Sequence, residues 1–60
     1  MRKYEITIFE KDGGKPIYTE TVTAKDYNEA FRIVEAHCVA RQGVSYSDFG
    51  TKYNRKISEV

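Results

Sequence analysis

The sequence holds no tryptophan and only one cysteine, one histidine, one proline and one methionine in 60 residues. A single Cys38 excludes an intramolecular disulfide, and Cys38 with His37 leaves too few soft ligands for a structural zinc site. No apolar run approaches the roughly 18 residues of a membrane span, and none forms a signal-peptide core. No membrane partner is expected, and the unpaired cysteine suits a cytoplasmic location. Charge of one sign is also missing, because ten Lys/Arg face nine Asp/Glu for a net +1. A duplex-DNA mimic would be acidic throughout, and a general nucleic-acid binder usually carries a stronger basic excess.

What is present is a soluble globular composition, 40% hydrophobic and 32% charged, in a length that allows one domain, residues 1–60. A chain this short buries only roughly 60% of its unfolded surface. Ordering each residue costs about 1.5 kcal/mol, so the margin of stability is thin. Self-association or docking onto a larger partner is therefore expected. The charge is uneven along the chain, with an acidic middle and a basic last third.

Residues 3–10 alternate with period two and are rich in β-branched and aromatic side chains, which predicts a strand with Tyr4, Ile6 and Ile8 on one face and Phe9 on the other. Asp12-Gly13-Gly14 supplies a hairpin turn, and residues 17–24 form the second strand. Asp26, with Glu29 three residues on, is a capping box that opens a helix over 27–41. Tyr27, Ala30, Phe31, Ile33, Val34, His37 and Cys38 form its apolar stripe, with Asn28, Arg32, Glu35 and Val39 on the other side. Gly43 is the natural stop. Residues 51–58 read as a third strand, with Tyr53, Arg55 and Ile57 on one face and Lys52, Asn54 and Lys56 on the other. The register is weakly specified, and a slip of one residue would reverse it.

These elements assemble as an α+β fold of ββαβ order: a three-stranded antiparallel sheet in the order 2-1-3, with one helix on one face. A right-handed crossover fits this order. The expected core is Tyr4, Ile6, Ile8, Val22, Ala24, Phe31, Val34, Cys38 and Ile57.

No catalytic constellation emerges, so the chain is not expected to be an enzyme or to carry a cofactor or metal. His37 and Cys38 are helical neighbours about 100° apart and cannot form a thiolate–imidazolium pair. Asp26 and Glu29 are accounted for by capping. Asp12-Gly13-Gly14 lacks the following helix and Lys-Ser/Thr ending of a phosphate cradle. Surfaces remain. The candidate contact residues are Tyr46, Phe49, Lys52, Tyr53, Arg55 and Lys56, an aromatic and basic group in the last third. One of Tyr46 and Phe49 is expected to cap the core beneath the helix end instead.

The strand at 17–24 passing into the capped helix at Asp26-Tyr27-Asn28-Glu29-Ala30 resembles the middle of many short phage and mobile-element proteins. In outline it is similar to the small phage-encoded host inhibitors, such as the phage T7 inhibitor of bacterial RNA polymerase, and to the hairpin-helix core of HicB-type antitoxins. The resemblance covers residues 17–36 and carries over no functional residue. It implies a stand-alone binding protein that modulates a larger host complex by steric or electrostatic block, in the host cytoplasm. Two alternatives stand beside it: a small nucleic-acid-binding module using an aromatic and basic sheet face, and a self-associating component, a homodimer among them.

Overall fold

A computed structural model describes all residues, 1–60. β1 (Arg2–Glu10) and β2 (Pro16–Ala24) form the antiparallel hairpin, followed by α1 (Tyr27–Gln42), a short α2 (Asp48–Thr51) and β3 (Tyr53–Glu59). The sheet order is β2-β1-β3 with both pairings antiparallel, so the α+β fold read from the sequence holds.

The hairpin closes at Glu10 N–H, which donates to Lys15 O at 2.8 Å. Gly13 and Gly14 sit there at φ 88° and 69°, a left-handed backbone that a Cβ would disfavour. Asp26 caps α1 by accepting from Glu29 N–H at 2.9 Å, while the Glu29 carboxylate reaches back to Lys25 N–H at 3.1 Å. Gly43 ends the helix in the left-handed region at φ 70°, donating its N–H to Val39 O.

The buried core is Tyr4, Ile6, Ile8, Ala24, Ala30, Val34, Cys38 and Phe49. Burying each large aliphatic side chain stabilises by about 1.5–3 kcal/mol. Val22, Phe31 and Ile57, expected inside, are half-buried and pack against this cluster. α1 lies mainly across β2 and β1 and scarcely reaches β3, so the helix-facing side of β3 needs another cover.

That cover is α2, which the sequence reading lacked. The sequence pattern places no element between Gly43 and a third strand that begins at Thr51. Instead Thr51 ends α2, Lys52 caps it, and β3 begins at Tyr53. Ser45-Tyr46-Ser47-Asp48 makes the turn: the Asp48 carboxylate accepts from Ser45 N–H at 3.3 Å while Asp48 N–H donates to Ser45 O at 3.0 Å. Phe49 thereby swings under the helix, 6.0 Å edge-on from Phe31 and 6.1 Å from Tyr53 between ring centres. Val39, placed by periodicity on the outer side of α1, packs against the core too.

Candidate functional surface

The register decides which side of the sheet each side chain occupies. Tyr4, Ile6 and Ile8 face α1, and their partners on β3 are Glu59, Ile57 and Arg55. Directly opposed residues share a face, so Arg55, Ile57 and Glu59 lie on the helix side. Thr7 opposes Lys56, Phe9 opposes Asn54 and Glu5 opposes Ser58, which puts Asn54, Lys56 and Ser58 on the side without a helix. By the same rule Thr19, Thr21 and Thr23 of β2 join them.

The six residues grouped by the sequence reading therefore do not form one surface. Phe49 is 9% exposed and belongs to the core; as a contact residue it is corrected, because α2 turns it inward. Tyr46, by contrast, is 56% exposed. Lys52 lies 3.9 Å from the Asp48 carboxylate, one turn away on α2, rather than on the open sheet face where alternation placed it. Tyr53 is half-buried against Phe49. Arg55 stacks its guanidinium over the Phe31 ring, 4.2 Å from the centroid. Lys56 alone among the cations of this group projects from the open face.

That open face carries Lys3, Glu5, Thr7 and half-buried Phe9 on β1, the Thr row of β2, and Asn54, Lys56 and Ser58 on β3. Neither Lys3 nor Lys56 enters any of the four ion pairs of the structure. Thr19 Oγ1 donates to Thr7 Oγ1 at 3.3 Å, a cross-strand bond that stiffens the face. The open face is thus polar, mildly basic and laterally braced.

A second grouping, between β2 and α1, was not anticipated. Glu20 receives the Tyr18 hydroxyl at 2.7 Å, and both its oxygens face His37 Nδ1 at 2.9 and 2.8 Å. An ionised carboxylate can only accept, so the proton is on Nδ1. Arg41 donates to the Tyr18 hydroxyl at 2.6 Å and stands 3.8 Å from Glu20. Burial pushes the Glu20 carboxyl upward, but the bonds from Tyr18 and His37 and the charges of His37 and Arg41 outweigh it and hold it below its ordinary value. Burial, then the bond to Glu20, raises the Tyr18 phenol. The sequence did contain the signal: Tyr18 and Glu20 share the parity of Val22 and Ala24 on β2. The cluster satisfies polar groups on a helix–sheet seam and presents no nucleophile.

Cys38 is buried in the core, and burial raises its thiol. Its neighbour His37 turns to Glu20 instead, so the two diverge as helical geometry requires. A shallow depression lies between the hairpin turn and α2, lined by Glu10, Lys11, Asp12, Thr51, Lys52 and Tyr53. Lys11 Nζ is already committed there, donating to Gly50 O at 3.0 Å. No three His, Cys, Asp or Glu side chains come together as a metal-binding group, and no helix is long and apolar enough to cross a membrane. Comparison of the chain with protein-family models, with curated proteins and with solved structures gives no match.

Proposed function

We propose that this is a small binding protein without catalytic activity, of the kind phages and mobile elements encode, which docks on a larger host macromolecular complex and blocks a site there. The observation that carries the reading is the sheet face opposite α1. It is open, braced by Thr19 and Thr7, and presents Lys3 and Lys56 without intramolecular carboxylate partners. Such a face suits an acidic surface on the partner, where unpaired cations steer association and fix orientation more than they add affinity. The outline likeness of residues 17–36 to phage host inhibitors supports the same class.

The test is capture from host lysate. The wild-type chain should retain a stoichiometric partner, and Lys3→Glu with Lys56→Glu should release it. Lys15→Glu, in the hairpin turn, should leave capture intact. Absence of a stoichiometric partner, or equal retention by the charge-reversed face, refutes the reading. Phe9 on the same face favours a second reading, a base-stacking platform for single-stranded nucleic acid. Titration of labelled single strands at two salt concentrations separates the two, since a phosphate-binding face loses affinity steeply with salt.

A further inference from the structure

β3 is an edge strand, and its hydrogen-bonding parity can be read from the bonds that flank it. Val60 N–H donates to Lys3 O at 2.8 Å and Lys11 N–H donates to Lys52 O at 3.0 Å, both in the register of the β1–β3 ladder. In an antiparallel pair the bonded residues alternate. Asn54, Lys56 and Ser58 therefore aim their backbone groups at β1, and Tyr53, Arg55, Ile57 and Glu59 aim theirs at the free edge. Arg55 N–H confirms the parity: its partner is the Asn54 side-chain oxygen at 2.8 Å, not a strand.

We propose that this edge pairs with β3 of a second copy of the chain, antiparallel about a two-fold axis through Ile57. In that register Ile57 meets Ile57 of the partner and exchanges both backbone bonds with it. Arg55 stands opposite Glu59 of the partner, and the symmetry repeats that pair on the other side. Both matched residues lie on the helix side, and each bonded pair uses backbone groups that point outward. Neighbouring registers are less favourable. An axis through Lys56 sets Lys56 against Lys56, and one through Arg55 sets guanidinium against guanidinium; like charges directly opposed are destabilising. An axis through Ser58 loses the Arg55–Glu59 match.

The surroundings permit the contact. α1 sits over β2 and β1, α2 covers the helix-facing side at the start of β3, and no strand pairs with the outer edge of β3. Arg55 and Glu59 are exposed: Arg55 rests its guanidinium on the Phe31 ring at 4.2 Å, which leaves its N–H groups free to turn to a carboxylate, and Glu59 holds only the solvent-facing Arg2 at 3.6 Å. The Asn54 side chain blunts the edge of the isolated chain and releases Arg55 N–H by a change of rotamer. The two three-stranded sheets become one. A two-fold normal to the sheet keeps both helices on the same side, so the open faces join and Lys56 of each copy flanks the axis.

Sedimentation equilibrium on the purified chain, with no other partner present, tests this independently of the host-binding reading. The mass should double with rising concentration. Arg55→Glu, which turns both cross-strand attractions into repulsions, should weaken the dimer about tenfold or more. Combining Arg55→Glu with Glu59→Arg should restore it. Amide exchange gives a second readout that needs no variant: Ile57 and Glu59 should slow as concentration rises, while Lys56 and Ser58, bonded to β1, should not change. A monomer up to millimolar concentration, an unaffected Arg55→Glu dimer, failure of the swap to restore it, or concentration-independent exchange at Ile57 each overturns the proposal.

Discussion

Phe49→Ala removes the side chain that fills the corner between α1 and β3. Phe49 is 9% exposed and touches Phe31 edge-on at 6.0 Å and Tyr53 at 6.1 Å between ring centres. Truncating a buried Phe to Ala costs about 3–5 kcal/mol. The low end applies here, because the site borders solvent and the exposed segment after Gly43 can partly collapse. Total stability for a domain of 60 residues is only about 3–9 kcal/mol at ordinary per-residue values. One substitution therefore removes a third or more of it. Arg55 loses support too, since the Phe31 ring beneath its guanidinium is no longer braced by Phe49. The control is Tyr46→Ala, three residues earlier and 56% exposed, which should change stability by less than about 0.5 kcal/mol. Urea unfolding followed by far-ultraviolet circular dichroism reads both, with the m-value checking that the unfolded state is unchanged. A Phe49→Ala unfolding free energy within about 1 kcal/mol of wild type, or a Tyr46→Ala loss as large as that of Phe49→Ala, would refute the placement of α2.

Other outcomes follow from the same contacts. Asp26→Ala removes the side-chain bond to Glu29 N–H and should cost about 1 kcal/mol in urea unfolding, with Asp26→Ser close to wild type. Glu20 is held below its ordinary 4.5, so its contribution is present above that value and drains away as pH falls through the lower folded one. Urea midpoints measured down that acid limb should flatten in Glu20→Gln, and an unchanged slope would show that the Tyr18–His37–Arg41 cluster contributes nothing. Cys38 has the opposite sign: its thiol is raised, so stability is intact below the ordinary 9.0 and declines as pH rises through the folded value. Native Cys38 should also resist alkylation until urea opens the core, whereas rapid labelling without denaturant would contradict its burial.

How much was legible beforehand differs element by element. β1, β2 and α1 follow from local signals that agree with one another: strict alternation around Ile6 and Ile8, turn glycines at 13 and 14, and Asp26 and Gly43 as helix punctuation. α2 left little local signal, since its N-cap Ser47 makes no side-chain capping bond and the Ser45–Asp48 bonds close the turn that precedes it. It was overshadowed by the polar character of the segment, and a single turn of helix has little propensity of its own. Its existence depends on Phe49 finding Phe31 and Tyr53. The Tyr18–Glu20–His37–Arg41 cluster joins residues far apart in the chain. Alternation on β2 places two of them, but which helix positions meet them is set by how α1 lies on the sheet.

The sequence alone determined the three strands and the long helix in their order, the hairpin, the helix cap and, once three strands were granted, the order β2-β1-β3, but not α2. These rest on local periodicity and on short connections, which one chain carries within itself. The tertiary structure decided which of Tyr46 and Phe49 is buried, and it distributed Lys52, Arg55 and Lys56 over an ion pair, an aromatic ring and the open face. The physical reason is register. Side chains in a strand alternate with period two, so where β3 starts fixes every face it presents, and that start depends on α2 docking against α1.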